Sequence, residues 1–430
     1  MEPPLSIPRV IWIALLVRLL PLLLWPDSPC TRDDCTYLAL AHGIVAGKGM
    51  VGTHGWLWAP GYPYFLALHE RLFGDASLAR WTQVLISCVS VPLVGRLARP
   101  FGPRAENIAR WMQALSPTQV FFAVNLWSEA VYTTALLGAL VASQLPVRKR
   151  WAGLAGALVG ICLLFRGMAM GILPAIGFSL DRKRFLIAIL ACAAAVFPYS
   201  LSASFRWGGP MLTDRTLGQM MWLGDNSFSP VTFDWGNGAL SDERYHYLTA
   251  DGRPHCTFED DPARQDECEV AAGVAWISTH PVEFAGRIPL RVAQLLNPHS
   301  FLTRHLRFAY WKGMPNWLDE ILILATVGFS AAGVLGGLLG WIRRGTNALG
   351  RTSAVLVVWH VLAISVLAGL TRYRVPLEPL GYVWFASLFS ETERPASSTT
   401  RTILGWLVFV TATIEILWFL PSGWPAWRTW

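Results

Sequence analysis

Long apolar stretches recur from one end of this 430-residue chain to the other, and they constrain its fold more than any other feature. A helix that crosses a membrane needs roughly 20 mostly apolar residues. Only 15% of the residues are charged, whereas soluble domains carry about 25%. Tryptophans, whose amphipathic rings favour the headgroup zone, stand at the ends of several stretches: Trp25, Trp81, Trp127, Trp151 and Trp341. The sequence therefore predicts an all-α polytopic membrane protein.

About eleven transmembrane helices are predicted, several of them short or interrupted by proline. The predicted spans are 7–25, 82–98, 107–123, 129–146, 151–165, 168–180, 185–203, 318–342, 353–370, 376–390 and 403–420. No small-residue cleavage site clearly follows the first apolar stretch, so we interpret it as a membrane helix rather than as a signal peptide.

Basic clusters occupy the short loops on one side of the predicted spans. They are Arg96/Arg99/Arg104/Arg110, Arg148/Lys149/Arg150, Arg182/Lys183/Arg184 and Arg343/Arg344/Arg351. The positive-inside rule makes that side cytoplasmic, so the N-terminus is predicted inside and Trp430 outside. The net charge of +7 is thus a topology signal and does not indicate a nucleic-acid partner. We expect a multi-pass protein of the cell membrane, the inner membrane in a bacterium.

Three polar regions fall on the opposite, outer side: a first outer loop at 26–80, a long region at 204–317 and a short turn, Thr371–Pro379. The predicted organisation is an N-terminal transmembrane module (1–203), an extracytoplasmic region (204–317) and C-terminal helices (318–430). Amphipathic helices are expected at Thr36–Val45 and Tyr62–Leu72. The long region is expected to be small and mixed, with a more helical part at Ala263–Asn297.

Four of the seven cysteines lie on the outer side, where oxidising conditions allow disulfides: Cys30, Cys35, Cys256 and Cys268. Four cysteines allow three pairings. The local pairs Cys30–Cys35 and Cys256–Cys268 are the simplest, and free thiols are the alternative. Cys88, Cys162 and Cys192 fall in predicted spans and are expected to be small buried residues.

An adjacent pair of carboxylates, Asp33 and Asp34, follows the first span and opens an amphipathic segment. Either residue can cap that helix. Alternatively, a carboxylate at the membrane surface can accept a proton from an acceptor hydroxyl.

The motifs of the chain resemble the glycosyltransferase C (GT-C) superfamily, in the branch of protein O-mannosyltransferases and lipid A aminoarabinose transferases. The Asp33-Asp34-x-x-Tyr37 element is followed by a glycine-rich segment and by Pro60-Gly61-Tyr62-Pro63. Further similar elements occur in order: Ser128-Glu129-Ala130, Phe165-Arg166-Gly167, Trp276 through Pro298, and Arg372 through Pro379. The resemblance covers nearly the whole chain.

What the resemblance implies is sugar transfer at the outer membrane face. The donor is a sugar, hexose or pentose, on a polyprenyl phosphate, and the acceptor is a hydroxyl of a lipid, glycan or protein. Asp33 corresponds to the base of an inverting reaction. Asp34 stands where relatives often carry Glu. The branch generally works without a metal, so no cofactor is expected.

Three arginines are predicted to contact the donor phosphate, because a guanidinium binds phosphate through paired donors. Arg166 lies between two short apolar stretches, and Arg372 and Arg374 lie on the last outer turn. Charges that border membrane spans are costly and usually functional. The alternative is snorkelling to lipid headgroups, the behaviour expected of Arg18.

Other candidates are less specific. Glu129 is either a partner for a helix dipole or a second acidic group of the site. Lys48, Tyr62 and Tyr373 are possible substrate-binding residues, whereas His42 and His54 are expected to be bystanders. The acidic residues near Asp260 are expected to form a solvated loop rather than a divalent-cation site.

Two other functions remain open on the sequence. A polymerase or ligase that uses a lipid-linked glycan would carry its chemistry on a late outer loop, but here the first loop holds the carboxylates. A glycolipid transporter or flippase often has two similar halves, and the sequence has no such symmetry. A scaffold protein would leave Arg166 and the Asp pair without a purpose.

Overall fold

The computed structural model describes residues 9–25, 33–50, 55–146, 148–227, 256, 261–299, 301–307, 311–367, 371–390, 402–403 and 405–414. Across these ranges the chain is helical and contains no strand. The all-α prediction is therefore confirmed. The described part of 204–317 is helical as well, rather than mixed.

Nineteen α-helices are numbered here in chain order. Helices α1 to α10 are Arg9–Leu24, Asp33–Val45, Gly61–Phe73, Ala79–Ala98, Pro103–Leu115, Pro117–Val124, Glu129–Gln144, Lys149–Phe165, Ile172–Gly177 and Arg182–Arg206. Helices α11 to α19 are Thr216–Gly224, Pro262–Thr279, Pro281–Leu296, Phe301–Arg307, Asn316–Ala331, Gly337–Arg344, Ala348–Val366, Glu378–Ser387 and Gly405–Ile414. Short 3₁₀ turns include Gly167–Gly171 and Thr371–Arg374, and a π-helical turn, Ala332–Gly336, joins α15 to α16.

Four of the described helical segments are long and apolar enough to cross a membrane: Ala76–Phe101, Arg182–Arg206, Asn316–Arg344 and Ala348–Val366. The pair α6 and α7 makes a fifth if its 117° bend is counted as one broken span. This is a multi-pass membrane protein, but the predicted count of about eleven spans is not confirmed. One reason is that the predicted span 107–123 divides at Ser116, because Pro117 cannot continue α5 and instead opens α6.

Close helix packing around α8 depends on small residues. A Cβ added at Gly156 would lie 2.0 Å from the Ala188 carbonyl oxygen of α10, and one added at Gly160 would lie 2.6 Å from the Ala195 Cβ. Glycines four residues apart let two helix backbones approach within a membrane, where association depends on van der Waals contact. This packing fixes the C-terminal end of α8, where Arg166 follows.

The amphipathic segments of the first outer loop form helices as predicted, over α2 and α3. The second ends at Gly74, whose φ of +77° is a left-handed cap that glycine adopts readily. The helical part of the long outer region is also confirmed, as α12 and α13.

The cysteines largely follow the predicted pattern. Cys256 and Cys268 form a disulfide, so that local pairing is confirmed. Cys35 is disulfide-bonded, and Cys30 lies outside the described residues. Cys88, Cys162 and Cys192 are free and buried, as expected.

Arg18 does not snorkel. Its side chain is fully buried and donates to the Ser87 hydroxyl at 3.0 Å and to the carbonyl oxygens of Ala114 at 2.9 Å and Gln113 at 3.2 Å. Those carbonyls belong to the last turn of α5, where helix geometry leaves them without partners and concentrates negative charge. Arg18 therefore joins α1 to the C-terminal end of α5.

Candidate active site

Four charged side chains from distant parts of the chain meet at one place. Asp33 is the first residue of α2, Glu129 the first of α7, Arg166 follows α8, and Arg372 lies in the turn Thr371–Arg374. Arg372 contacts both carboxylates, and Arg166 contacts Glu129. We call these four residues the charged tetrad. It contains two carboxylates and two guanidiniums, so its formal charge is zero.

Glu129 is the centre of the tetrad. One of its oxygens, Oε1, accepts hydrogen bonds from Nη2 of Arg166 and from Nε of Arg372, and its side chain is fully buried. A buried carboxylate is tolerable only when it is paired and hydrogen-bonded. The position at the N-terminus of α7 adds a favourable helix dipole.

Arg166 occupies the break after α8. Its backbone is extended, with φ −159° and ψ 126°, between that helix and the turn Gly167–Gly171. Besides Glu129, the guanidinium donates from Nε to the Ser128 hydroxyl at 3.3 Å. The helix break thus turns the side chain toward the start of α7.

Arg372 is enclosed by aromatic rings as well as by carboxylates. Its guanidinium carbon lies 4.1 Å from the centre of the Trp127 ring and 5.9 Å from that of Phe301. Such stacking stabilises a cation that has lost its water. Burial alone would lower the pKa of Arg372, but Glu129 and Asp33 outweigh it and raise that pKa. The side chain is therefore a fixed positive charge.

Asp33 is the most exposed member of the tetrad, with 30% of its side chain accessible. Its Oδ2 accepts a hydrogen bond from Nη1 of Arg372 at 2.5 Å. Asp34 is buried, since neighbouring helix positions point about 100° apart. Its Oδ1 accepts from the Cys35 amide at 3.1 Å. Of the two predicted catalytic carboxylates, Asp33 is the one that belongs to the tetrad through its contact with Arg372.

Two tyrosines flank the tetrad, Tyr37 one turn along α2 and Tyr373 beside Arg372. Burial raises the pKa of both phenols, while Arg166 and Arg372 act in the opposite direction. Each is a neutral hydrogen-bond donor near the site. Tyr37 also packs edge-on against Trp58 and Tyr62, with ring centres 5.0 and 4.9 Å away.

Three predicted residues have other surroundings. Arg374 donates from Nη1 to the carbonyl oxygens of Leu295 at 3.0 Å and Asn297 at 2.5 Å, from Nη2 to Ser330, and from Nε to Glu378. It secures the outer turn to the end of α13. Tyr62 is fully buried and donates its hydroxyl to Gln83. Lys48 is exposed in the turn after α2.

Two residues of the site were assigned no role from the sequence: Tyr37, which belongs to the Asp33-Asp34-x-x-Tyr37 element, and Trp127, which directly precedes Ser128-Glu129-Ala130. Sequence reasoning also missed Gln83, a buried amide in a spanning helix. Gln83 could have been identified from the sequence, because a polar residue within an apolar stretch needs a partner. For Trp127, placement at the end of an apolar stretch suggested a headgroup contact instead.

The described part of the chain holds no group of three or more His, Cys, Asp or Glu side chains suited to a metal ion. His42 pairs with Glu70, Nδ1 to Oε1, at 2.5 Å. Asp261 caps α12 through the Arg264 amide. His54, Glu259 and Asp260 lie outside the described residues.

Comparison with known proteins gives matches among solved structures. No sequence family matches the chain, and no curated protein does. The oligosaccharyltransferase of Archaeoglobus fulgidus in its apo form is 14% identical, with a TM-score of 0.50, over 95% of this chain. An oligosaccharyltransferase AglB from the same organism, with an inhibitory peptide and a dolichol-phosphate, is 13% identical over 96% of this chain, with a TM-score of 0.47.

A further match is ArnT from Cupriavidus metallidurans bound to undecaprenyl phosphate, with 13% identity and a TM-score of 0.44 over 88% of this chain and 77% of ArnT. This chain spans 55% of the length of the oligosaccharyltransferase. At these identities the matches concern the fold alone, which is similar to that of the archaeal oligosaccharyltransferase.

Proposed function

We propose that this protein is a membrane glycosyltransferase that moves a sugar from a polyprenyl phosphate to a hydroxyl acceptor at the extracytoplasmic face. The observation that carries the proposal is the tetrad, in which a partly exposed carboxylate, Asp33, touches an arginine that a buried glutamate holds beside a second arginine. The fold and the GT-C motif resemblance agree with this reading.

In this proposal Arg166 and Arg372 bind the phosphate of the donor. A phosphate ester in a poorly hydrated zone needs fixed positive charge, and charge-assisted hydrogen bonds are stronger there than in bulk water. Glu129 holds both guanidiniums through a single oxygen, which leaves other N–H groups of each fork for a ligand. Arg374 is assigned to the scaffold because all three of its nitrogens donate to protein oxygens.

Transfer then follows from the position of Asp33. The acceptor oxygen attacks the anomeric carbon, the bond from that carbon to the phosphate oxygen breaks, and the hydroxyl proton passes to the Asp33 carboxylate. The electron pair of the broken bond leaves on the polyprenyl phosphate, whose charge Arg166 and Arg372 stabilise. Attack from the face opposite the phosphate inverts the configuration.

An exchange of partners links binding to chemistry. Arg372 donates a hydrogen bond to Asp33, and this contact occupies a carboxylate oxygen that the acceptor proton would need. When the donor phosphate takes the Arg372 N–H group, Asp33 is released to accept the acceptor proton. Donor binding therefore precedes activation of the base.

The test is turnover in proteoliposomes with a panel of polyprenyl-phosphate hexoses and pentoses, followed as release of polyprenyl phosphate and as transfer of labelled sugar to membrane lipid, glycan or protein. We expect release and transfer with at least one donor. Movement of intact donor across the bilayer without bond cleavage would instead support a flippase. Reaction only with diphosphate-linked glycans would support a polymerase or ligase.

A further inference from the structure

A fully buried glutamine, Gln83, lies in α4 within one of the candidate membrane spans. In hydrocarbon an amide without partners is costly, so polar residues there usually serve a specific contact.

The contacts of Gln83 join α4 to two other helices. Its Nε2 donates to the carbonyl oxygens of Phe122 at 2.7 Å, Ala123 at 3.2 Å and Asn125 at 2.6 Å. Its Oε1 accepts from the Tyr62 hydroxyl at 2.9 Å. One side chain on α4 thus binds the end of α6 and, on its other side, the helix α3.

The carbonyls need this partner because α6 ends at Val124. The last turn of a helix leaves its carbonyl oxygens unpaired, and no water replaces the missing donors inside a membrane. Asn125 supplies one replacement, from its Nδ2 to the Phe121 oxygen at 2.8 Å. Gln83 supplies donors for the carbonyls of Phe122 and Ala123, and the Asn125 carbonyl accepts from both Gln83 and the Trp127 amide.

The break between α6 and α7, which Gln83 caps, determines where the tetrad residue Glu129 lies. After Val124 the chain turns by 117° and α7 begins at Glu129. The connecting residues include Trp127, which stacks on Arg372, and Ser128, which accepts from Arg166. We infer that Gln83 is a positioning residue: by capping the broken helix it sets where Glu129 holds the two arginines. This rests on the proposed function.

Gln83→Met tests the inference, because methionine keeps the volume but has no N–H donor. Gln113→Met is the matched control, since Gln113 is equally buried, on α5, and donates to Ser90 at 2.8 Å. We expect Gln83→Met to raise the donor KM at least about tenfold, equivalent to about 1.4 kcal/mol, with the acceptor KM unchanged. Gln113→Met should lower thermal stability and leave the donor KM as in the wild type. Equal donor KM values in both variants would overturn the inference.

Gln83→Glu separates the two sides of the amide. Glutamate keeps an oxygen for the Tyr62 hydroxyl but cannot donate as –NH₂ does to the three carbonyls. We expect it to be as impaired as the methionine variant. Wild-type kinetics in Gln83→Glu would show that the Tyr62 contact suffices, which contradicts the inference.

A readout that needs no turnover completes the test. Backbone amide hydrogen exchange over residues 125–132 should be faster in Gln83→Met than in the wild type or in Gln113→Met. Unchanged exchange would overturn the inference even in an active enzyme. Faster exchange in a protein whose wild type transfers no sugar would refute the proposed function, while the structural role of Gln83 would stand.

Discussion

Arg372 lies in a tight turn and combines two kinds of contact, with two carboxylates and with two aromatic rings. Lysine in its place keeps the charge but has neither the planar fork nor the flat surface that stacks on Trp127. We expect Arg372→Lys to raise the donor KM about tenfold to a hundredfold, the range of a charged hydrogen bond. Donor titration with and without a chelator checks this, and activity abolished by chelator alone would contradict a phosphate site built from arginine.

Asp33 carries the proposed proton transfer. Asparagine preserves its size and its place at the start of α2 but cannot accept a proton, so we expect turnover to fall about 10²–10⁴-fold. Asp75→Asn is the control, because Asp75 caps a short turn of the same loop through the Ser77 amide and hydroxyl. Near-normal turnover in Asp33→Asn, measured at saturating donor, would remove Asp33 from the mechanism.

At the scale of elements, the ends of helices determine where the charged residues of the site lie. The N-terminus of α2, the N-terminus of α7 and the C-terminal end of α8 each contribute a charged residue. The packing of α8 on α10 is therefore connected to the position of Arg166.

Two glycines of α8 allow a matched test of that packing. Gly156→Ala should lower the unfolding temperature of the detergent-solubilised protein and its activity, since the new Cβ meets the Ala188 carbonyl at 2.0 Å. Gly153→Ala should be neutral or stabilising by up to about 1 kcal/mol, because the nearest atom there lies 3.9 Å away. If thermal unfolding shows that only Gly156→Ala is destabilised, close helix contact is the cause; if both variants change alike, the helix propensity of alanine is.

The charged residues at helix ends could be predicted from the sequence, because charges that interrupt apolar stretches are costly and usually functional. The sequence did not separate Arg372 from Arg374. In a 3₁₀ turn successive residues point about 120° apart, so residues two apart diverge, and Arg374 meets α13 and Glu378 instead of Glu129. The predicted spans 107–123 and 129–146 leave a gap around Asn125, but the sequence did not predict the 117° bend there or the hydrogen bonds that Gln83 donates from another helix.

At the scale of the whole molecule, the orientation of the spans is testable. Single-cysteine labelling should place Arg148–Arg150, Arg182–Arg184 and Arg343–Arg344 in the cytoplasm, and Asp33, residues 204–315 and Arg372 outside. The native Cys88, Cys162 and Cys192 are buried and free, so replacing them by alanine provides the background. Labelling of the three basic clusters from outside would reverse the predicted topology.

The burial of Arg18 has a consequence for biosynthesis. An arginine at the centre of a membrane helix costs about 2.5–3.5 kcal/mol on insertion, and its acceptors on α5 lie 95 and 96 residues further along the chain. At about 5–20 residues per second, the ribosome reaches them seconds after α1 has emerged. During that interval Arg18 in α1 lacks these acceptors on α5. Chains truncated before Gln113 should therefore leave α1 accessible to quality-control proteases, and chains that extend beyond α5 should not.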